Sequence, residues 1–523
     1  MNTFNYRENG WWTDQGLWDR YLGHAARNSD QLAVADDTGA ELTHAGLLAA
    51  ANRVSGQLVE AGVKAGDLVL EIMPNCIEWQ VVFAAILRLG AVPMTVPVTT
   101  DAKTLAYLCD LTEVAAIVTV NEFGNTKLEK VATDAVLKAK VSPAVMTINS
   151  VDTIEVVDAG AHTTRSIPLD GVAHVMTTSS TTGMPKAVTH SENTLEALNH
   201  GFAERFGLSS TTPLLMVSPL GHSVGAIHGA RLAMYLGAPL ILQQRWEPSD
   251  AIELAQRYNC EFTSLATPFL KDLIDAPALP EGSPAKLATI RNLLCGGAAV
   301  PPLLMDQAAE QFPNTFVTVL WGMTEGGVTT CTPTSTDDQQ RNTAGCGLPG
   351  LELSIVDAAL NHLPTGEVGE LVMRGPGVFT GYLGQDDLYR DSLTADGFFR
   401  TGDLAFLDDD NYLHLTGRLK DLIIRGGVNI SPVLIEDALA GHPDVRRVAV
   451  VGQPDDRLGE RLCAVVIPQP GQSVSLEDLV NWASEHGLSR RYWPESIQIV
   501  DDMPVTAAGK IRKNQLRDDL FGS

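Results

Sequence analysis

Short apolar runs rich in β-branched residues alternate with helix-length segments along the first half of this chain. LVLEIM (68–73) precedes IEWQVVFAAILRLGA (77–91), and AVPMTV (91–96) follows. VAAIVTV (114–120) and PLLMVSP (213–219) are further runs of the same kind, and RLAMYLGA (231–238) before PLILQQ repeats the helix-then-strand order. Strands without polar alternation are covered on both faces, and strands separated by helices pair in parallel. The pattern therefore predicts an α/β fold with largely parallel, buried strands. Over 351–416 the texture changes. LELSIVD, GELVMRG and LAFLDDDNYLHLTG are short alternating strands with PTGEVG and DDDN as turns, which predicts a small antiparallel barrel-like region. From about residue 420 an α+β tail follows: strand DLIIRGG, helix SPVLIEDALAGH, strands VRRVAVVG and RLCAVVIP, helix LEDLVNWASEH and strand SIQIV. Pro432 suits an early helical position. We place the boundary at Gly417–Lys420, between a large N-terminal domain (1–417) and a small C-terminal domain (418–523).

The chain has 523 residues and 45% hydrophobic content, enough for a large core. No run approaches 18 consecutive apolar residues, which argues against membrane insertion. MNTFNYRENGWW lacks the basic-then-apolar order of a signal peptide. The seven cysteines (76, 109, 260, 295, 331, 346, 463) form no CxxC pair, so neither a zinc site nor a disulfide framework is expected. A cytoplasmic protein fits best. The formal net charge of −26 disfavours nucleic acid as a partner. An anionic ligand would need local cations, which makes individual lysines and arginines informative.

One such lysine closes TTSSTTGMPK (177–186). GVAHVM (171–176) reads as a strand, and Ser191 can cap a helix through ENTLEALNHGFAERF, so a strand-to-helix loop is expected. Hydroxyls and backbone N–H groups in such a loop can surround phosphate oxygens, Gly183 permits close approach, and Lys186 adds charge. It is not a Walker A loop, because Pro185 stands between glycine and lysine. The plain alternative is a solvated surface loop.

TSSTTGMPKAV resembles the phosphate loop of the adenylate-forming superfamily: acyl-CoA synthetases, luciferases and peptide-synthetase adenylation enzymes. Six further segments match in the same order. They are PLGHSVG (219–225), CGGAAVP (295–301), WGMTEGG (321–327), GCGLPG (345–350), TGDLAFLDDDNYLHLTGRLKDLIIRGGVNISPVLIEDAL (401–439) and PVTAAGKIRKNQLR (504–517). The resemblance implies a mobile C-terminal domain and two half-reactions. A carboxylate attacks the α-phosphate of ATP to give an acyl-adenylate and pyrophosphate. A thiol, usually that of CoA, then takes the acyl group.

Carried over residue by residue, the resemblance implies that Thr178, Ser179, Ser180, Thr181, Thr182, Gly183 and Lys186 hold phosphates. Lys510 is the adenylation lysine, placed between two anions whose repulsion it offsets. Glu325 is the Mg2+ ligand, a single carboxylate being enough beside phosphate oxygens. Thr324 bonds the α-phosphate, Asp403 accepts the ribose hydroxyls, and Arg418 contacts ribose or phosphate. Trp321 stands where the family usually has a tyrosine stacked on adenine, with Gly322 and Met323 beside it. Gly297, Ala298 and Ala299 line the base's other side. His222 gates the thiol path, Lys420 is the hinge, and Gly426 and Gly427 leave room for the pantetheine arm. Each has a plainer reading: a tail lysine, a helix-capping Thr-Glu pair, turn aspartate and glycines, a core tryptophan, a structural histidine. Two positions depart from the family pattern. Ser180 replaces the loop's first glycine, and Ala187 the glycine after its lysine.

SPLGHSVG, ATPFLKDL (266–273), LLCGGAAVPP, LWGMTEGG and RYWPE (491–495) look most like bacterial CoA ligases for cyclic acids such as cyclohexanecarboxylate, and their aryl and medium-chain relatives. The pocket candidates His222, Ser223, Gly225, Thr267, Gly296, Met323, Gly326 and Gly327 include no lysine or arginine to pair with a second carboxylate. A small neutral acid is expected, with ATP, Mg2+ and CoA as co-reactants. Loading of a carrier-protein thiol, a luciferase-like monooxygenase and a catalytically impaired ATP-binding member stay as alternatives, and a homodimer is left open.

Overall fold

The helix Ile77–Leu89 is buried on every face, and Gly90 ends it in the left-handed region at φ 73°. A helix apolar all round needs cover on all sides. In this computed structural model, which describes residues 6–151, 169–178, 184–277, 285–298, 300–505 and 511–522, that cover comes from two sheets and their helices. The largest core joins Val69, Leu70 and Ile72 of one sheet to Leu214, Met216, Leu240 and Leu242 of the other, with Trp79 and Phe83 of the helix among them.

The first sheet has seven strands in the order Gly381–Tyr382, Ala187–Ser191, Val172–Thr177, Val92–Thr95, Leu68–Ile72, Ala116–Thr119, Ala144–Thr147. All neighbours pair in parallel except at the Gly381 edge. The second has nine, running Cys346–Gly347, Val328–Thr330, Phe316–Gly322, Asn292–Gly296, Phe262–Ala266, Leu214–Met216, Leu240–Leu242, Leu32–Asp36, Glu41–Thr43. Its middle is parallel and its two ends are antiparallel. Where a small antiparallel barrel-like region was expected, Glu352–Val356, Gly369–Arg374, Phe399–Leu407 and Leu413–Arg418 form an antiparallel sheet of four. A five-stranded sheet carries the tail, with helix Val433–Ala440 beginning directly after Pro432. The α/β reading, with a large N-terminal and a smaller C-terminal part, holds.

Two local expectations change. The stretch after Thr177 is not a strand-to-helix loop. AVTHS forms its own strand, Ala187–Ser191, antiparallel to Val172–Thr177 with His174 opposite His190. The loop is therefore the tip of a hairpin, closed at its base where the Thr178 N–H donates to the Lys186 carbonyl at 3.2 Å. Val188 and Thr189 favour that extended backbone, but the strand is short and runs straight into the cap. Ser191 does cap helix Glu192–Phe206, in a reciprocal capping box with Thr194. The helix near 231 also begins earlier, as a wide π-helix over Val224–Arg231 that continues as Leu232–Leu236. Among the described residues, no helix is long and apolar enough to cross a membrane, and all seven cysteines are unpaired.

Candidate active site

In open parallel sheets, ligands bind beyond the carboxyl ends of the strands. Here five singled-out segments follow such ends. The hairpin tip follows Val172–Thr177, His222 comes after Leu214–Met216, and Thr267 begins the helix after Phe262–Ala266. Gly297 and Ala298 follow Asn292–Gly296, and Met323 to Gly327 follow Phe316–Gly322. The topology thus gathers most of the candidates from both sheets at one rim.

Glu325 is 6% exposed, and its Oε1 accepts a hydrogen bond from the Tyr382 hydroxyl at 2.9 Å. Burial raises its pKa, while the Tyr382 bond and the nearby Lys186 and Arg418 charges pull it back down. Lys186 Nζ lies 4.6 Å from the centroid of the Tyr382 ring, a cation–π contact. Thr324 Oγ1 donates to Ser223 Oγ at 3.3 Å, and the Thr324 carbonyl accepts from His190 Nε2 at 2.8 Å. That bond fixes the His190 tautomer, and burial holds its pKa down at about 4, so the ring is neutral. Burial also lowers the pKa of His222, whose backbone N–H donates to the Pro219 carbonyl at 3.0 Å.

Asp403 is 4% exposed. Its Oδ1 pairs with Arg418 Nε at 2.7 Å, and its Oδ2 accepts from Trp321 Nε1 at 2.8 Å. Asp403 and Arg418 are register partners on adjacent antiparallel strands. Lys420 sits in the single turn Leu419–Asp421 that follows, within electrostatic reach of Arg418, Asp403 and Lys186. Gly322 pairs with Val328, and the Met323 N–H donates to the Gly327 carbonyl at 3.2 Å. Thr267 Oγ1 donates to the Ala298 carbonyl at 3.4 Å.

Some glycines have reasons of their own. A Cβ on Gly225 would lie 2.2 Å from the Pro219 oxygen, and one on Gly326 2.0 Å from the Gly377 oxygen. Gly296 and Gly327 seat as closely against Leu320 and Met373. Close packing of the rim is therefore enough to require glycine there. Gly426 and Gly427 stand apart, on the C-terminal sheet. They form the two-residue turn of the hairpin Ile423–Arg425/Val428–Ile430, with φ 58° and 81°.

Ser179, Ser180, Thr181, Thr182, Gly183, Ala299 and Lys510 lie outside the described residues. Sequence reasoning missed Tyr382 and His190. Their only signals were a Gly-Tyr in GVFTGYLG and a histidine four residues after Lys186. Neither shows its partner without the pairing of Gly381–Tyr382 with Ala187–Ser191.

Comparison with known proteins identifies the family. The model of the AMP-binding enzyme family matches residues 23–383, and that of the AMP-binding enzyme C-terminal domain matches 434–510. The medium-chain fatty-acid–CoA ligase of Escherichia coli (strain K12) is 31% identical over 534 residues, covering 99% of this chain and 92% of its own. A salicylyl-CoA synthase / salicylate adenylyltransferase of a Streptomyces species is 32% identical over 543 residues, covering 99% and 96%. The ATP-bound structure of MatB from Rhodopseudomonas palustris superposes with TM-score 0.87 at 25% identity, covering 96% of this chain and 98% of that one. The apo form of the same protein gives 0.75. The chain belongs to the AMP-binding enzyme family, and with it to the AMP-forming acid–thiol ligases.

Proposed function

We propose that this protein activates a small neutral carboxylic acid, cyclic, aromatic or of short to medium chain, as its acyl-adenylate, releases pyrophosphate, and passes the acyl group to CoA. The observation that carries this is the buried Glu325 beside Lys186, with Tyr382 between them, at the strand-end rim. Such a site brings a carboxylate and a cation together where a metal-bound triphosphate needs both. Among the described residues no group of three or more acidic, His or Cys side chains could hold a metal by itself. Magnesium there would be held by Glu325 and nucleotide phosphates, a fit to its preference for few carboxylates. The ion would offset phosphate charge.

In this reading Thr178 to Gly183 and Lys186 hold the outer phosphates, Thr324 the α-phosphate, and Asp403 with Arg418 the ribose. Lys510 brings the second positive charge to the reacting carboxylate. His222, neutral by desolvation, can stand beside that carboxylate without pairing with it. The domains are 1–417 and 418–523, with Lys420 as hinge. The better superposition on the ATP-bound than on the apo R. palustris protein supports an adenylate-forming arrangement. Ser223, Thr267, Gly296 and Met323 are small or apolar and carry no charge, which favours an acid without a second charge.

The test is pyrophosphate release across cyclohexanecarboxylate, benzoate, hydroxybenzoates and linear acids, each with and without CoA. Release for one group, accelerated by CoA, is the expected result. Release that CoA leaves unchanged points instead to a carrier-protein acceptor, and ATP binding with no release for any acid removes the proposal.

A further inference from the structure

Asp403 has one hydrogen-bond donor on each carboxylate oxygen, and the two donors come from different sheets. Arg418 Nε reaches Oδ1 at 2.7 Å from the last residue of the four-stranded sheet. Trp321 Nε1 reaches Oδ2 at 2.8 Å from the end of Phe316–Gly322 in the nine-stranded sheet. A carboxylate held at one oxygen can still turn about its Cβ–Cγ bond. Held at both, it cannot, and the second lone pair on each oxygen then points in a fixed direction.

The tryptophan is itself held. Its ring is 6% exposed and packs in a cluster with Met373 and Leu371. At Gly327 an added Cβ would meet Trp321 Cζ3 at 3.1 Å and Met373 Sδ at 2.1 Å, so the backbone at 327 runs close beside the ring and only glycine leaves the ring its place. A phenylalanine would keep an aromatic ring there but supply no donor. A tyrosine would carry its hydroxyl at the ring's far end, not at the place of the indole nitrogen.

We propose that Trp321 is a positioning residue for Asp403, its indole N–H setting the direction in which the carboxylate receives the ribose hydroxyls. This rests on the ribose role given to Asp403 above, and goes beyond the stacking role that an aromatic ring at this position suggests. Discrimination for the ribose hydroxyls then depends on an atom that never touches the nucleotide.

The test is calorimetric binding of ATP, 2′-deoxy-ATP and 3′-deoxy-ATP, each as its magnesium complex, to the full chain and to its Trp321→Phe and Trp321→Tyr variants. Thermal melting identifies a variant that does not fold, and the other then gives the result. The wild type is expected to prefer ATP over both deoxy analogues. In the variants the Kd for ATP should rise about tenfold, as for loss of a hydrogen bond to a charged group, and the preference should collapse by a similar factor. A ring that only packs or stacks would leave the ratio of deoxy-ATP to ATP affinity at the wild-type value, and that result overturns the proposal. A wild type that binds all three equally removes the ribose role of Asp403 itself, a separate failure that is visible before any variant is made.

Discussion

Tyr382 donates its hydroxyl to Glu325 at 2.9 Å while the face of its ring receives the Lys186 ammonium 4.6 Å from the centroid. One side chain thus serves two opposite charges through two different parts of itself. Tyr382→Phe keeps the ring and removes the donor. Because a hydrogen bond to a charged group contributes about 1.5–3 kcal/mol, the magnesium concentration for half-maximal ATP–pyrophosphate exchange should rise about tenfold or more. Tyr382→Leu loses the cation–π contact too, so its KM for ATP should exceed that of the Phe variant. A Phe variant with the wild-type magnesium dependence would separate Tyr382 from the chemistry.

Glu325 has a pH signature with opposite signs for activity and stability. Its pKa is raised in the folded chain by burial. The carboxylate must be charged to meet a cation, so exchange should fall as pH drops through that raised value, and in Tyr382→Phe it should fall at a higher pH still. Stability runs the other way. The folded state holds the Glu325 proton more tightly than the unfolded state does. Its contribution is full below the unfolded pKa and is lost as pH rises through the folded one. Glu325→Gln should therefore lose exchange by about a hundredfold or more and yet melt above the wild type near neutral pH without ligands. The gap should close in acid. A variant that melts lower at neutral pH contradicts this reading.

The turn at Gly426–Gly427 separates backbone need from passage of a thiol. Among the described residues nothing lies within 4 Å of a Cβ at Gly427, so Gly427→Ala should cost only the left-handed backbone, about 1–2 kcal/mol. Gly427→Asn, which enters that region more readily, should recover much of this stability. If the glycine pair also admits the pantetheine arm, both variants raise the KM for CoA while pyrophosphate exchange stays unchanged. Unaltered CoA kinetics would leave the turn with a purely structural part.

Arg231 and Glu192 form an ion pair at 2.6 Å with side chains 1% and 4% exposed. Among the described residues, Arg231 Nε and Nη1 have no hydrogen-bond partner. Removing one partner strands a buried charge, so Arg231→Met should destabilise by about 3–5 kcal/mol, and Arg231→Met with Glu192→Met should recover most of it. Denaturant unfolding of the two single variants and the double variant measures the coupling. Additive losses would mean that the pair does not act as a unit.

Much of the fold was legible because buried parallel strands carry their signal within themselves. LVLEIM and IEWQVVFAAILRLGA needed no partner to be read as strand and helix. The strand Ala187–Ser191 was not legible, since five residues between a polar loop and a helix cap offer too short a period. The π-helix over Val224–Arg231 has the same apolar texture as an α-helix and differs only in width. Within the site, residues read in motifs such as Glu325 and Asp403 could be named in advance. Tyr382 could not, because its meaning depends on Gly381–Tyr382 pairing with a strand that lies far earlier in the chain.

The grip on Asp403 also sets an order of assembly. Trp321 and Asp403 belong to different sheets, and the third member, Arg418, is the last residue of its strand. During synthesis a chain is made from its N-terminus. Until residue 418 has emerged and paired with the Phe399–Leu407 strand, the carboxylate lacks its arginine. Under the ribose role proposed for Asp403, chains truncated before residue 418 should bind ATP more weakly than the full chain.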